Sequence, residues 1–143
     1  MKNISRMLRE ARKSPEPPHC PDLGEIIALD FSPQAGREQA GIRPALVLTP
    51  KRYNALTRLC IACPVTSRVK DYPFAVPVPP GIALPPGIGL LDGAALDNLC
   101  GVVLSDQAKS VSWHERGAMR LAQAPPELLA DVRARLSALL GLV

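Results

Sequence analysis

Alternation of apolar and polar residues divides the chain, from about residue 24 onward, into short strands separated by turn-rich segments. Strand-like runs cover residues 26–31, 45–48, 59–66, 74–78, 101–104, 111–113 and 119–122, and Gly, Pro, Asn or Asp residues bound several of them. Within 59–66 the two faces are distinct, with Leu59, Ile61, Cys63 and Val65 on one and Cys60, Ala62 and Thr66 on the other. The pattern predicts five to seven strands.

The last part of the chain predicts one amphipathic helix. It begins with Pro125, Pro126 and Glu127, because proline and acidic residues suit a first helical turn. Apolar residues then recur at helical spacing until Gly141, namely Leu128, Leu129, Val132, Leu136, Leu139 and Leu140. The sequence therefore predicts a mainly β fold, a small β-barrel capped by a C-terminal helix, in one domain over residues 23–143.

Two segments do not fit this pattern. Residues 1–22 combine a charged tail, whose apolar residues lie at helical spacing, with a proline-rich linker, and we expect both to lie outside the core. Residues 79–100 contain the near-repeats PPGIAL and PPGIGL and then an Asp-Gly turn signal. They predict an expanded surface loop or extended hairpin, with its isoleucines and leucines against the body. A flap over a groove is the functional alternative for this segment.

The loop between the first two strands ends in a notable arginine. Pro33, Gly36 and Gly41 supply turn residues there, and Pro44 pushes the backbone of Arg43 into an extended conformation. An arginine held at a strand end can bind two phosphate oxygens with its planar guanidinium. A surface salt bridge is the alternative role for such a residue.

Residues 51–58 predict a loop or a single helical turn.

Composition limits the function classes moderately. The chain has 143 residues, 47% of them hydrophobic and 21% charged, which is typical of one globular domain. A net charge of +4 permits a nucleic-acid partner without requiring one. No apolar run approaches the ~18 residues of a membrane helix, and residues 1–13 lack the apolar core of a secretory signal. We therefore expect a cytoplasmic protein that does not contact a membrane.

Metal and histidine chemistry find little support in the residues. The four cysteines could form two disulfides or a zinc site, but Cys60 and Cys63 face opposite sides of a strand, which favours small buried thiols. Carboxylates are dispersed and no phosphate-binding glycine loop is present, so no metal and no cofactor are predicted. The only two histidines are His19 in the linker and His114 in a predicted solvated turn.

Several blocks of sequence together carry a family resemblance. They are GEI at 24–26, DFSP at 30–33, GREQAGIRP at 36–44, VLTP at 47–50, YN at 53–54, PVTS at 64–67, YPF at 72–74, DQAKS at 106–110 and RG at 116–117. In this order, over residues 24–140, they closely resemble the MazF/PemK (also Kid) family, the ribonuclease toxins of type II toxin–antitoxin pairs. The resemblance implies an SH3-like barrel of the CcdB/PemK type that forms a homodimer, with single-stranded RNA in a groove across the dimer.

The resemblance also implies the site residues. The family's catalytic arginine and threonine match Arg43 and Thr66, its loop glutamate and glutamine match Glu38 and Gln39, and its Asp-Gln motif matches Asp106 and Gln107. Arg68 and Lys70 follow Thr66 and are expected to hold flanking phosphates, with Ser67 also in contact with RNA. Where some members carry an arginine two positions before the aspartate, this chain has Leu104.

The implied reaction is sequence-specific, metal-independent cleavage of single-stranded mRNA. The 2′-OH attacks the adjacent phosphorus and leaves a 2′,3′-cyclic phosphate and a 5′-OH, while Arg43 and Thr66 stabilise the transition state. Glu38, Asp106 and solvent remain open as the general base, because an arginine does not ordinarily lose its proton. A MazE-like cognate antitoxin is the expected inhibitor, and the toxin–antitoxin complex is expected to bind DNA. The alternatives are a non-nucleolytic module, such as a gyrase poison of the same fold, and a catalytically silent homologue.

Overall fold

The structure, a computed structural model, describes residues 18–31, 42–68, 71, 73–85, 94–95 and 98–142. The strands within these ranges are β1 (Glu25–Asp30), β2 (Ile42–Val47), β3 (Leu59–Thr66), β4 (Ala75–Pro77), β5 (Ala94–Ala95), β6 (Asn98–Leu99), β7 (Val102–Leu104), β8 (Lys109–Ser112) and β9 (Met119–Gln123). The helices there are α1 (Lys51–Thr57), a 3-10 helix (Ser105–Gln107) and α2 (Pro126–Leu139). The predicted mainly β fold with a C-terminal helix is confirmed, and SH3-like barrel describes it well.

The strand β3 is the centre of the main sheet. Seven strands form this sheet, in the order β4-β7-β3-β2-β1-β9, with β8 also paired to β3. The first half of β3 pairs with β8, and its last two residues pair with β7. On the opposite edge it pairs with β2, where Ala45 lies across from Pro64. The C-terminal end of β3 therefore pairs with β7 on one edge, while the middle of β3 pairs with β2 on the other edge.

Both faces of the central strands are buried, and each face belongs to a separate apolar cluster. The first cluster, which α2 covers, includes Ile26, Ala28, Leu46, Cys63, Val65, Leu128 and Val132. The second includes Ile27, Leu29, Phe31, Ala45, Val47, Cys60, Ala62 and Trp113. The predicted alternation in residues 59–66 is confirmed, because its two faces enter different clusters.

The cysteines match the thiol prediction only in part. All four are free, but only Cys60 and Cys63 are buried, whereas Cys20 and Cys100 are half-buried. Burial raises the pKa of both Cys60 and Cys63 to about 12. The two buried thiols are therefore protonated and unreactive at neutral pH.

Three sequence-based element predictions need correction. Residues 51–57 form the two-turn helix α1 rather than a loop or single turn. The sequence there has no clear helical periodicity, and the helix is stabilised by hydrogen bonds between Asn54 and residues far away in sequence. The second strand begins at Ile42 and not at residue 45, since Arg43 and Pro44 pair with β1. The strand predicted at 111–113 runs from Lys109 to Ser112, because its backbone pairs with the first half of β3.

The 79–100 segment is anchored on the body where the structure describes it. Ile82, Leu84 and Leu99 are buried in the first apolar cluster. The Leu99 N–H donates to the Ile82 carbonyl at 2.9 Å, and β5 and β6 form a small antiparallel pair. In the described part of the segment, apolar side chains therefore lie against the body. Residues 86–93 and 96–97 lie outside the described residues.

The C-terminal helix is confirmed, but its apolar stripe is only half buried. Leu128 and Val132 are buried, while Leu139 and Leu140 are exposed. Side chains from the first two turns therefore hold α2 against the sheet, and an apolar surface is left near its C-terminus. No helix in the described ranges is long and apolar enough to cross a membrane.

Candidate active site

Thr66 is the last residue of β3, where that strand pairs with β7. Its Cα partner is Val102, and the residue is fully buried. The Thr66 hydroxyl accepts a hydrogen bond from the Arg68 N–H at 3.3 Å, so the chain bends immediately after the strand. We call Thr66, Ser67 and Arg68 the 66–68 bend. Ser67 and Arg68 are exposed, so the bend presents a hydroxyl and a guanidinium to solvent.

Arg43 is the second residue of β2, the strand that lies beside β3. Its Cα partner on the other side is Leu29 of β1. The β2–β3 pairing places Ala45 opposite Pro64, Leu46 opposite Cys63 and Val47 opposite Ala62. The pairing ends there, and Arg43 and Thr66 each lie two residues beyond its last pair, on neighbouring strands.

Arg43 and Arg68 are close enough for their charges to interact. Burial lowers the pKa of Arg43, and the positive charge of Arg68 lowers it further. The Arg43 guanidinium nevertheless stays protonated at neutral pH. Two neighbouring positive charges create a positive potential, which an anion such as a phosphodiester would relieve. Arg43, Thr66 and Arg68 are the predicted site residues that the structure brings together.

Asp106 and Gln107 lie at a different position along β3. They belong to the 3-10 helix that follows β7, and Asp106 is close enough to Cys63 to contribute to its raised pKa, after burial. Cys63 precedes Thr66 by three residues on the same strand. Glu38, Gln39 and Lys70 lie outside the described residues.

Gly101 is a neighbour of the bend that the sequence analysis missed. Its backbone approaches the carbonyl group of Thr66. The only available signal was a glycine as the first residue of a predicted strand, which does not reveal what the backbone will meet in the fold.

Neither histidine extends this site. His19 shares a hydrogen bond with the buried carboxylate of Glu25, Nε2 to Oε2 at 2.8 Å, and His114 stacks edge-on against Trp113. Among the residues that the structure describes, no group of three His, Cys, Asp or Glu side chains could hold a metal ion.

The fold and site together define a small helix-capped β-barrel with a cationic, hydroxyl-bearing site at the end of its central strand. Residues 22–140 match the family model described as PemK-like, MazF-like toxin of type II toxin-antitoxin system. The chain belongs to this family, as the sequence blocks predicted.

Curated relatives carry the name of the predicted enzyme class. The chain is 40% identical over 123 residues to the endoribonuclease toxin MazF of Escherichia coli K12, covering 86% of this chain and 96% of the relative. It is 36% identical over 122 residues to the endoribonuclease PemK of Escherichia coli, covering 83% of this chain and 81% of the relative.

Solved structures agree with this assignment. MazF of Deinococcus radiodurans matches with a TM-score of 0.72 and 47% identity, covering 86% of this chain and 98% of that one. A MazE–MazF complex of the same organism matches with a TM-score of 0.67 and 42% identity, covering 86% of this chain and 97% of that one.

Proposed function

We propose that this chain is the toxin of a type II toxin–antitoxin pair and cleaves single-stranded RNA without a metal ion. The observation that supports the proposal is the interaction of the Arg68 charge with Arg43, together with the hydrogen bond from the Arg68 N–H to the Thr66 hydroxyl. Family membership and the names of the relatives support the enzyme class. We infer that it acts in the cytoplasm, where mRNA is present.

The proposed chemistry uses the nucleophile that RNA already contains. The 2′-oxygen attacks the adjacent phosphorus, the bond from phosphorus to the 5′-oxygen breaks, and a 2′,3′-cyclic phosphate and a 5′-OH result. The transition state concentrates negative charge on the phosphoryl oxygens, where a fixed guanidinium is most effective. Arg43 stabilises this charge and donates a proton to the leaving 5′-oxygen, and water then returns a proton to the guanidinium. The proton of the 2′-OH passes to Glu38, Asp106 or water.

Thr66 has two proposed roles, and its burial determines which of them it performs before RNA binds. In the structure its hydroxyl accepts the Arg68 N–H, so it first fixes the 66–68 bend. Because the residue has no exposed surface, its hydroxyl contacts RNA only when binding moves the atoms that cover it. Ser67 and Arg68, which are already exposed, then contact RNA from the start, with Gln39, Lys70 and Gln107 as further proposed contacts.

Recognition and inhibition follow from the same positive surface. The chain has few aromatic side chains, 3% of its residues, so base recognition rests on hydrogen bonds more than on stacking. MazF of Deinococcus radiodurans was solved in complex with MazE. We propose a MazE-like antitoxin for this chain, with an acidic segment that occupies the cationic site in place of RNA. A homodimer would present two such sites.

The proposal is tested by incubating the purified protein with mixed-sequence single-stranded RNA in EDTA and mapping the ends. We expect cuts with cyclic phosphate and 5′-OH termini, and a loss of at least about 100-fold in Arg43→Ala and Thr66→Ala. Arg52→Ala and Thr57→Ala remove the same side-chain types from α1 and should cleave like the parent protein.

Two results would contradict the proposal. Intact RNA with the folded parent protein would favour a non-nucleolytic module, such as a gyrase poison. Undiminished cutting by both Arg43→Ala and Thr66→Ala would place the active site elsewhere.

A further inference from the structure

Gly101 packs its backbone directly against the backbone of the 66–68 bend. A Cβ atom at this position would lie 1.9 Å from the Thr66 carbonyl oxygen, 2.7 Å from its carbonyl carbon and 2.8 Å from the Cα of Ser67. Each distance is shorter than a real Cβ contact can be. All three atoms belong to the backbone, so no side-chain rotation relieves the overlap.

Gly101 is also fixed from the opposite direction. Its carbonyl oxygen accepts a hydrogen bond from the Val78 N–H at 2.9 Å. The next residue, Val102, pairs with both Thr66 of β3 and Pro77 of β4. Because strands on both sides hold this stretch, Gly101 cannot simply move away from Thr66 to make room for a side chain.

A comparison of Gly101 with Gly81 distinguishes the effect of backbone strain from the effect of close approach. Gly101 has a φ of +94° and Gly81 a φ of +92°, so a side chain strains the backbone about equally at either position. A Cβ atom at Gly81, however, would meet nothing within 4 Å. The requirement that is special to Gly101 is therefore the contact with Thr66 and Ser67.

We propose that Gly101 is a positioning residue for RNA cleavage, because its missing side chain lets the 66–68 bend settle against β7 within reach of Arg43. This inference rests on the proposed endoribonuclease function. Val78 and Gly101 flank the 79–100 segment, and the hydrogen bond between them joins the two points where the segment leaves and rejoins the sheet. This junction thus sets the position of Thr66.

The expected effect is on the chemical step. A methyl group at residue 101 must displace the bend, and a shift of about 1 Å in a catalytic group can lower a rate by about 100-fold. RNA binding depends on exposed contacts that include Arg68 and should change less. We therefore expect Gly101→Ala to lower kcat by at least about 10-fold while KM changes by less than about 3-fold.

The test compares Gly101→Ala with Gly81→Ala in EDTA-resistant cleavage, thermal unfolding and amide NMR spectra. Both variants carry the same backbone strain, so the thermal stability that Gly101→Ala loses beyond Gly81→Ala measures the overlap with the bend. Only Gly101→Ala should lower kcat and shift the amide signals of Ser67 and Arg68. Equal kcat values for the two variants, or unmoved bend signals in Gly101→Ala, would overturn the proposal.

A second pair of variants covers the case in which Gly101→Ala does not fold. Val78→Pro removes the N–H that binds Gly101 and places ring atoms there, next to an edge strand that already contains Pro77. It displaces Gly101 without adding an atom beside Thr66, whereas Val78→Ala keeps the N–H. We expect kcat to fall at least about 3-fold more in Val78→Pro than in Val78→Ala, and equal values would overturn the proposal. If the parent protein fails to cleave RNA, the function is wrong, yet the NMR comparison still tests the contact.

Discussion

At the scale of single residues, the chemistry of Arg43 depends on the shape of its side chain as well as on its charge. A guanidinium can donate two parallel hydrogen bonds to two phosphoryl oxygens, whereas an ammonium acts as a single point charge. Arg43→Lys should therefore keep RNA binding within a few-fold but lower kcat about 10- to 100-fold. Single-turnover cleavage measures this, with Arg52→Lys on α1 as the matched control. Full activity in Arg43→Lys would show that charge alone suffices.

The buried thiol of Cys60 makes a prediction about alkaline pH. Its pKa is raised from 9.0 to about 12 in the folded protein, chiefly by burial. A group with a raised pKa adds stability below its unfolded pKa, and this stability is lost as the pH rises toward the folded value. Between about pH 8 and pH 10.5 the parent protein should lose about 2 kcal/mol that Cys60→Ala does not lose.

The measurement is chemical unfolding of both proteins at the two pH values. The stability advantage of the parent over Cys60→Ala should narrow as the pH rises. Val111→Ala is the control, because Val111 faces Cys60 across β3 and β8, lies in the same cluster and does not titrate. The raised pKa of Cys60 would be contradicted if the stability difference between the parent and Cys60→Ala stayed constant. It would also be contradicted if the difference between the parent and Val111→Ala narrowed by the same amount.

At the scale of elements, α1 anchors the segment that leads into β1. The fully buried Asn54 donates through Nδ2 to the carbonyls of Pro21 and Thr49, both at 2.9 Å. Its backbone carbonyl, which Asn54→Ala would keep, accepts the Trp113 Nε1–H at 2.9 Å. One residue of a short helix therefore connects the segment before β1, the loop after β2 and the turn after β8.

Asn54→Ala tests this connection. It leaves buried carbonyls without a donor, so it should lower the free energy of unfolding by about 2–4 kcal/mol. Leu56→Ala changes an exposed side chain of the same helix and should alter stability by less than about 0.5 kcal/mol. Denaturant titrations compare the two variants, and similar losses would show that Asn54 does not connect these segments.

The sequence predicted those elements whose own residues carry the pattern. The strand β3 matches its predicted bounds, because alternate residues enter two different apolar clusters. The helix α1 was missed because its stabilising contacts, such as Asn54 to Pro21, join residues far apart in sequence. Of the candidate site, the family resemblance indicated Arg43 and Thr66. The close approach of Gly101 to Thr66 depends on the pairing of β3 with β7, which no single stretch of sequence specifies.

At the scale of the whole molecule, an apolar surface remains exposed near the C-terminus. Leu140 and Leu142 expose 63% and 72% of their surface, and they border a groove of about 580 Å³ between Leu48 and the outer face of α2. Leu136 and Ala130 also line this groove, with Arg133 at its rim. Exposed apolar side chains bordering a groove are typical of an interaction surface. We expect the homodimer to form here.

Leu140→Lys places a charge in this proposed interface. It should convert the dimer to a monomer in analytical ultracentrifugation while the circular dichroism spectrum stays unchanged, because the side chain is exposed in the single chain. If RNA lies across both subunits, the monomer should also bind RNA more weakly, with KM raised at least about 10-fold. Leu56→Lys, at a residue with 84% of its surface exposed on α1, is the control and should remain dimeric. A dimer that survives Leu140→Lys but dissociates in Leu56→Lys would move the interface from α2 to α1.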